Sequence, residues 1–253
     1  MSPTLRDTKT TLWIWPSGLF PRRLIYYFRA KHITLSTLQS HNIYLIPVQL
    51  TTSPPALQSM PGHESRPADS LLPIMRIEHD NERVTWVRES LSILEYFEEL
   101  FPGNTPGKWK DLRGETAEQR AQTRDILNLL NDAMHWSLIK LIHSDPNTTF
   151  FSGLSMEEMS PSAAAHAGRK LDFYLGRLEE WIEGSGGVGK EATLAGMVLL
   201  AQVEYHEMMY GADWIEGYDE LREWVERMKK EEWYVRSEVL KSVEEDGMWE
   251  KVL

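Results

Sequence analysis

Two short apolar runs, Leu72-Pro73-Ile74-Met75-Arg76-Ile77 and Val84-Thr85-Trp86-Val87, flank the polar segment Asp80-Asn81-Glu82. The second run leads through Arg88 into Glu89-Ser90 and then Leu91-Ser92-Ile93-Leu94. This pattern predicts two strands joined by a hairpin turn and followed at once by a helix. Pro73 has no N–H to give a ladder, which the first residue of a strand tolerates. Glu89 and Ser90 fall at the helix start, where the first N–H groups have no partner within the helix. A backbone edge beside Pro73, a carboxylate, a hydroxyl and free helix N–H groups together form a receptor for the zwitterionic end of a peptide. Helix capping alone also accounts for an acidic residue and a hydroxyl at this place, so the residues by themselves leave both readings open.

The elements that position these groups follow from the change of period along the chain. Strands are expected at residues 11–15, 43–50, 73–77 and 83–87, with helices from about 21 to 31 and from 89 to 101. The Ser- and Pro-rich stretch 51–70 reads as a long connection of the kind that often covers a ligand. Pro102-Gly103-Asn104-Thr105-Pro106-Gly107 is the strongest punctuation, which sets an α/β domain at 1–101, a linker at 102–115 and an all-helical domain at 116–253. In the latter, Ile126, Leu130, Met134, Leu138 and Leu141 recur at helical spacing, as do Leu171, Tyr174, Leu178 and Ile182. Residues 193–209 are apolar on nearly every side until Glu204, the mark of a centrally buried helix, and the glycine-rich 184–189 reads as the loop feeding it.

Composition narrows the function. The 253 residues carry 42% hydrophobic residues, enough for one large core or two small ones. A net charge of −11 disfavours nonspecific binding to nucleic acid or to an anionic membrane. Without cysteine, the chain has no disulfide, no thiolate metal site and no dithiol redox chemistry of its own. The eight histidines include no pair at i, i+4 with a carboxylate partner, so no metal is expected. No segment approaches the roughly 20 apolar residues of a membrane span, and a cytoplasmic protein is expected. Glu231, Glu232, Glu244 and Glu245 read as a solvated face.

The Pro73 and Glu89-Ser90 pattern resembles the glutathione site of the glutathione S-transferase superfamily. Phe20-Pro21-Arg22-Arg23-Leu24-Ile25 resembles the family's turn into its first helix, with Pro21 at the first helical position. Ala192-Thr193-Leu194-Ala195 resembles the start of its buried helix with Thr193 as N-cap, and the run Tyr218 to Met228 resembles its late helix. The loop-rich, tryptophan-heavy style resembles that of divergent fungal-type members. The resemblance implies a thioredoxin-like N-terminal domain, an all-helical C-terminal domain and a homodimer. It further implies a cis peptide bond before Pro73, backbone contacts at Leu72, and Glu89-Ser90 on the γ-glutamyl group. Arg66 and His63 are candidates for the glycine carboxylate, although loop cations are commonly just solvated.

Two departures stand out. Gly196 occupies the place of a capping aspartate, which weakens that helix start. Gly18 falls where a sulfur-contacting Cys or Ser often stands, leaving Ser17 as the nearest hydroxyl. A thiol of pKa about 8.5 needs only one hydroxyl donor and a helix N-terminus to populate its thiolate. The bland alternative is that Pro16-Ser17-Gly18 forms a tight turn. By the resemblance, a hydrophobic electrophile would meet Phe20, Met134, His135, Trp136 and Leu138 where the domains come together, unless these residues are ordinary core. The expected function is therefore addition of the glutathione thiolate to such an electrophile, for instance a natural-product intermediate. The alternatives are glutathione-dependent cis/trans isomerisation of a conjugated substrate and a noncatalytic assembly or regulatory module.

Overall fold

A computed structural model describes residues 8–52, 55–68, 70–103, 109–184 and 193–253. These divide into two compact units, one made of Met1–Leu112, Glu204–Gly211 and Lys229–Leu253, the other of Arg113–Val203 and Ala212–Met228.

The first unit is built on β1 (Thr8–Ile14), α1 (Leu19–Ala30), α2 (Leu35–Ser40), β2 (Ile43–Thr52), β3 (Pro55–Ser59), β4 (Ile74–His79), β5 (Val84–Val87) and α3 (Ser90–Leu100). Its five-stranded sheet has the order β3-β2-β1-β4-β5. β1 runs parallel to β2 and antiparallel to β4, the thioredoxin-like arrangement. Leu12, Trp13 and Ile14 are fully buried in succession because β1 lies in the interior of the sheet, with neighbours on both edges. The expected hairpin closes through His79 N donating to Arg83 O at 2.9 Å, with Glu82 in the left-handed region at φ 63°.

Two expectations are corrected and one helix is added to them. Helix α1 starts at Leu19, so Pro21 sits at its third position, where a missing N–H is still harmless because the first turn has no internal acceptors. The stretch 51–70 contains β3, paired antiparallel with β2 from Val48 opposite Ser59 to Thr52 opposite Pro55. The six-residue α2, capped by Thr34 accepting from Thr37 N, was too short to show a period. Residues 104–108 of the expected linker, 185–189 of the expected glycine-rich loop and, after them, 190–192 with the Ala192 of the expected helix start lie outside the described residues.

The second unit holds α4 (Ala117–Ile142), α5 (Thr149–Ser152), α6 (Pro161–Gly184), the first part of α7 (Leu194–Tyr210) and α8 (Asp219–Met228). Thr116 and Gln119 form a reciprocal capping box at the start of α4. Thr193 Oγ1 accepts from Gly196 N at 3.2 Å, so Thr193 caps α7. The glycine at 196 has a packing cause: a Cβ there would lie 2.7 Å from Met228 Sδ and 3.1 Å from Trp224 Cζ2 of α8. The last helix, α9 (Ser237–Asp246), belongs to the first unit.

Near the C-terminal end of α1, the Lys31 ammonium is enclosed with Glu98 of α3, Nζ to Oε2 at 2.8 Å, and also donates to Phe101 O at 2.8 Å. Burial pushes the Glu98 carboxyl up to about 7 against the pull of Lys31. Lys31→Met is expected to cost about 3–5 kcal/mol in urea unfolding, because it strands a buried carboxyl. Glu98 holds its proton to about pH 7 when folded and releases it near 4.3 when unfolded. Its contribution to stability is thus complete below about pH 4.3 and lost as pH rises through 7. Unfolding free energies of the protein should therefore fall over this window relative to those of Glu98→Gln.

Candidate functional site

Strand register brings the Pro73 and Glu89 segments together. Met75 pairs with Val87, and two residues further along each strand stand Pro73 and Glu89. Trp13 pairs with Ile74, so the chain leaving β1 toward Ser17 passes the Leu72-Pro73 segment. The Leu72–Pro73 peptide is cis, as the resemblance implied.

At the start of α3, Glu89 takes the N-cap position with extended backbone, but its exposed side chain makes no capping bond. Ser90 is buried, and its Oγ accepts from Arg23 Nη1 at 3.1 Å. Burial pulls the Arg23 guanidinium down to about 9, with Glu89 opposing the shift, so Arg23 remains a cation at neutral pH. An exposed carboxylate thus stands beside a hydroxyl, a buried cation and a helix start without a side-chain cap. These charges and donors are of the kinds that meet an ammonium and a carboxylate.

The turn before α1 is tightly held. Gly18 N donates to Trp15 O at 3.0 Å, and a Cβ at position 18 would meet Trp15 Cε3 at 2.6 Å. The indole therefore fills the space that a side chain there would need. Ser17 is only 2% exposed. Its N–H donates to Glu244 Oε1 at 2.8 Å and its carbonyl accepts from Arg22 Nη2. The Ser17 hydroxyl also bonds the Glu244 carboxyl, which burial pushes up. Glu244 is accordingly not part of a solvated face. Gly18, the N-cap of α1, supplies no side chain to its first-turn N–H groups. Phe20 is exposed, with the Arg23 guanidinium 4.7 Å from its ring centre.

The remaining candidates fall as follows. Arg66 donates through Nε to Leu57 O at 2.6 Å and through Nη1 to Ser70 O, so its guanidinium pins the loop that leads to Leu72. His63 is exposed, with its backbone N–H on Met60 O at 3.2 Å. In the second unit Met134 is buried, His135 and Leu138 are exposed, and Trp136 packs edge-on to His166 at 5.5 Å. Arg22, Arg23 and Glu244 were missed as functional candidates. The only signal was an arginine doublet heading the run Leu24-Ile25-Tyr26-Tyr27-Phe28, which is otherwise apolar and fully buried. Among the described residues no group of three or more His, Asp or Glu could hold a metal ion, and no helix is long and apolar enough to cross a membrane.

No family model and no curated protein matches the chain. Solved structures do. A glutathione S-transferase from Methylobacillus flagellatus with glutathione bound has a TM-score of 0.60 at 15% identity, covering 89% of this chain and 96% of that one. A maleylacetoacetate isomerase from Anaeromyxobacter dehalogenans, also with glutathione bound, has a TM-score of 0.57 at 17% identity, covering 94% and 97%. Glutathione transferase Omega 3C from Trametes versicolor has a TM-score of 0.58 at 14% identity, covering 89% and 86%. The fold of this chain is that of the glutathione transferases.

Arg66→Ala would release the Leu57 and Ser70 carbonyls and free the loop before Leu72. Amide exchange across residues 57–72 should accelerate, with a loss of about 1–3 kcal/mol in overall stability at most.

Proposed function

We propose that this protein is a glutathione-dependent enzyme of the transferase type. The observation that carries the reading is the start of α3: the exposed Glu89 carboxylate does not cap its helix, and the buried Ser90 hydroxyl is held from beneath by Arg23. In this reading Glu89 receives the γ-glutamyl ammonium. The Ser90 hydroxyl and the first-turn N–H groups of α3 receive its carboxylate. The backbone at Leu72 pairs with the cysteinyl residue, which turns the thiol toward residues 15–18. Arg66 and His63 lie on the loop that would border the glycine end.

The thiol has an ordinary pKa of about 8.5 and must lose its proton to react. The start of α1, which Gly18 leaves without a side-chain cap, and the buried cations Arg22 and Arg23 favour a nearby anion. Ser17 is the hydroxyl we assign to the sulfur: its proton turns from the Glu244 carboxyl to the thiolate, while its N–H stays on Glu244 Oε1 and holds the turn. The thiolate then forms a carbon–sulfur bond to an activated double bond of a hydrophobic electrophile, whose π bond breaks and whose other carbon takes a proton from water, with Phe20, exposed in the first turn of α1, among the electrophile's contacts. Conjugation ends there. Reversible addition to a conjugated double bond, rotation and elimination would instead return an isomer with glutathione unconsumed, and product analysis separates the two.

Calorimetric titration tests the binding step. Glutathione should bind the protein, and Glu89→Ala and Ser90→Ala should each weaken it about tenfold or more, the loss of one charge-assisted bond being about 1.5–3 kcal/mol. Absence of heat and of thermal stabilisation at millimolar glutathione would overturn the reading. Ser17→Ala should leave glutathione affinity unchanged, raise the pKa of the bound thiol and lower turnover at neutral pH about tenfold, read from the pH profile with a chromogenic electrophile.

A further inference from the structure

Arg22 precedes Arg23 on α1 and is itself fully buried. It serves a different place: its Nη1 donates to Ser237 Oγ at 3.2 Å, and its Nη2 lies 3.5 Å from Met208 Sδ. Ser237 and Met208 both line a pocket of about 450 Å³, walled by the last turns of α7 on one side and by the chain entering α9 on the other. Glu89, Ser90 and Pro73 are not among its lining residues.

The floor of this pocket is closed on itself. Glu204 Oε1 pairs with Lys229 Nζ at 3.0 Å, while Oε2 accepts from Tyr234 OH at 3.1 Å and from Ser237 Oγ at 3.4 Å. The charge of Lys229 is thereby matched, and Glu204 has no call for a ligand. The walls differ. Glu207, one turn beyond Glu204 on α7, faces a pocket whose other side carries Arg236 and Lys241. All three are exposed, and among the described residues none makes an ion pair within 4.0 Å. Charges of opposite sign that border one cavity without meeting leave room between them for a molecule that carries both signs. Glu238 adds a second carboxylate, and Met208 and Tyr234 supply apolar surface between the charges. The volume is within the range of small-molecule sites and suits an amino-acid derivative or dipeptide.

We propose that this pocket binds a small zwitterion of the amino-acid or dipeptide class. Glu207 takes the ammonium, Arg236 and Lys241 take the carboxylate, and an apolar side chain lies against Met208 and Tyr234. The site is separate from the Glu89 receptor and does not depend on it.

The dipeptide Gly-Phe serves as the probe, followed by backbone amide NMR shifts on the full chain, beside N-acetyl-Gly-Phe and Gly-Phe amide. Saturable millimolar binding is expected, with shifts confined to residues 204–208 and 229–241. Loss of either terminal charge should weaken it about fivefold, the range of exposed ion pairs. Arg236→Ala with Lys241→Ala should erase the preference over the amide, and Glu207→Gln the preference over the acetylated form. Glu89→Ala should leave Gly-Phe binding intact, and the Arg236/Lys241 double variant should leave glutathione binding intact, which separates this site from the proposed catalytic one. Absence of shifts at these residues, equal binding of all three probes, or binding lost in Glu89→Ala would overturn the proposal.

Discussion

The first unit depends on the burial of two adjacent guanidinium groups in α1. Arg22 and Arg23 are 0% and 1% exposed. Removing such a charge from water costs several kcal/mol even after relaxation, so each must be met by acceptors in fixed positions. Arg22 meets the Ser17 carbonyl and Ser237, and Arg23 meets Ser90. One turn of helix thereby sets the turn after β1, the entry to α9 and the start of α3. The same cations supply the field at the start of α3 and at the turn before α1, where the γ-glutamyl carboxylate and the thiolate are proposed to bind.

The opposite end of α1 repeats this economy with different partners. Arg29 donates to the carbonyls of Trp233, Val252 and Glu232 at 2.6, 2.8 and 2.8 Å, and Lys31 is enclosed with Glu98. Backbone carbonyls need no counter-charge and suit the half-exposed Arg29, whereas the fully enclosed Lys31 has a carboxyl. These bonds explain why residues 229–253, last in sequence, belong with the first unit in space.

Much of the fold was legible because it rests on local periodicity. Short apolar runs marked β1, β4 and β5, helical spacing marked α4 and α6, and a segment apolar on nearly every side marked α7. The hairpin at Asp80-Asn81-Glu82, the Thr193 cap and the cis bond before Pro73 were also visible, the last through resemblance. What escaped depends on distant partners. Glu244 lies 227 residues from Ser17, and its place in a charged run concealed its burial. Strand β3 was hidden by its Ser/Pro-rich surroundings, because its pairing with β2 is visible only across the turn. Gly196 looked like a defect of its helix start until α8 showed Met228 and Trp224 in the space above it.

Gly18 and Trp15 constrain one another. With the indole 2.6 Å from where a Cβ would stand, any side chain at 18 requires the ring at 15 to move first. The ring is itself packed edge-on against Tyr205 at 6.4 Å. A side chain at position 18 therefore needs the indole to turn aside or be replaced, and either change gives up the contact with Tyr205. Positions 15 and 18 are thus coupled: the size of the side chain at one decides what the other can carry.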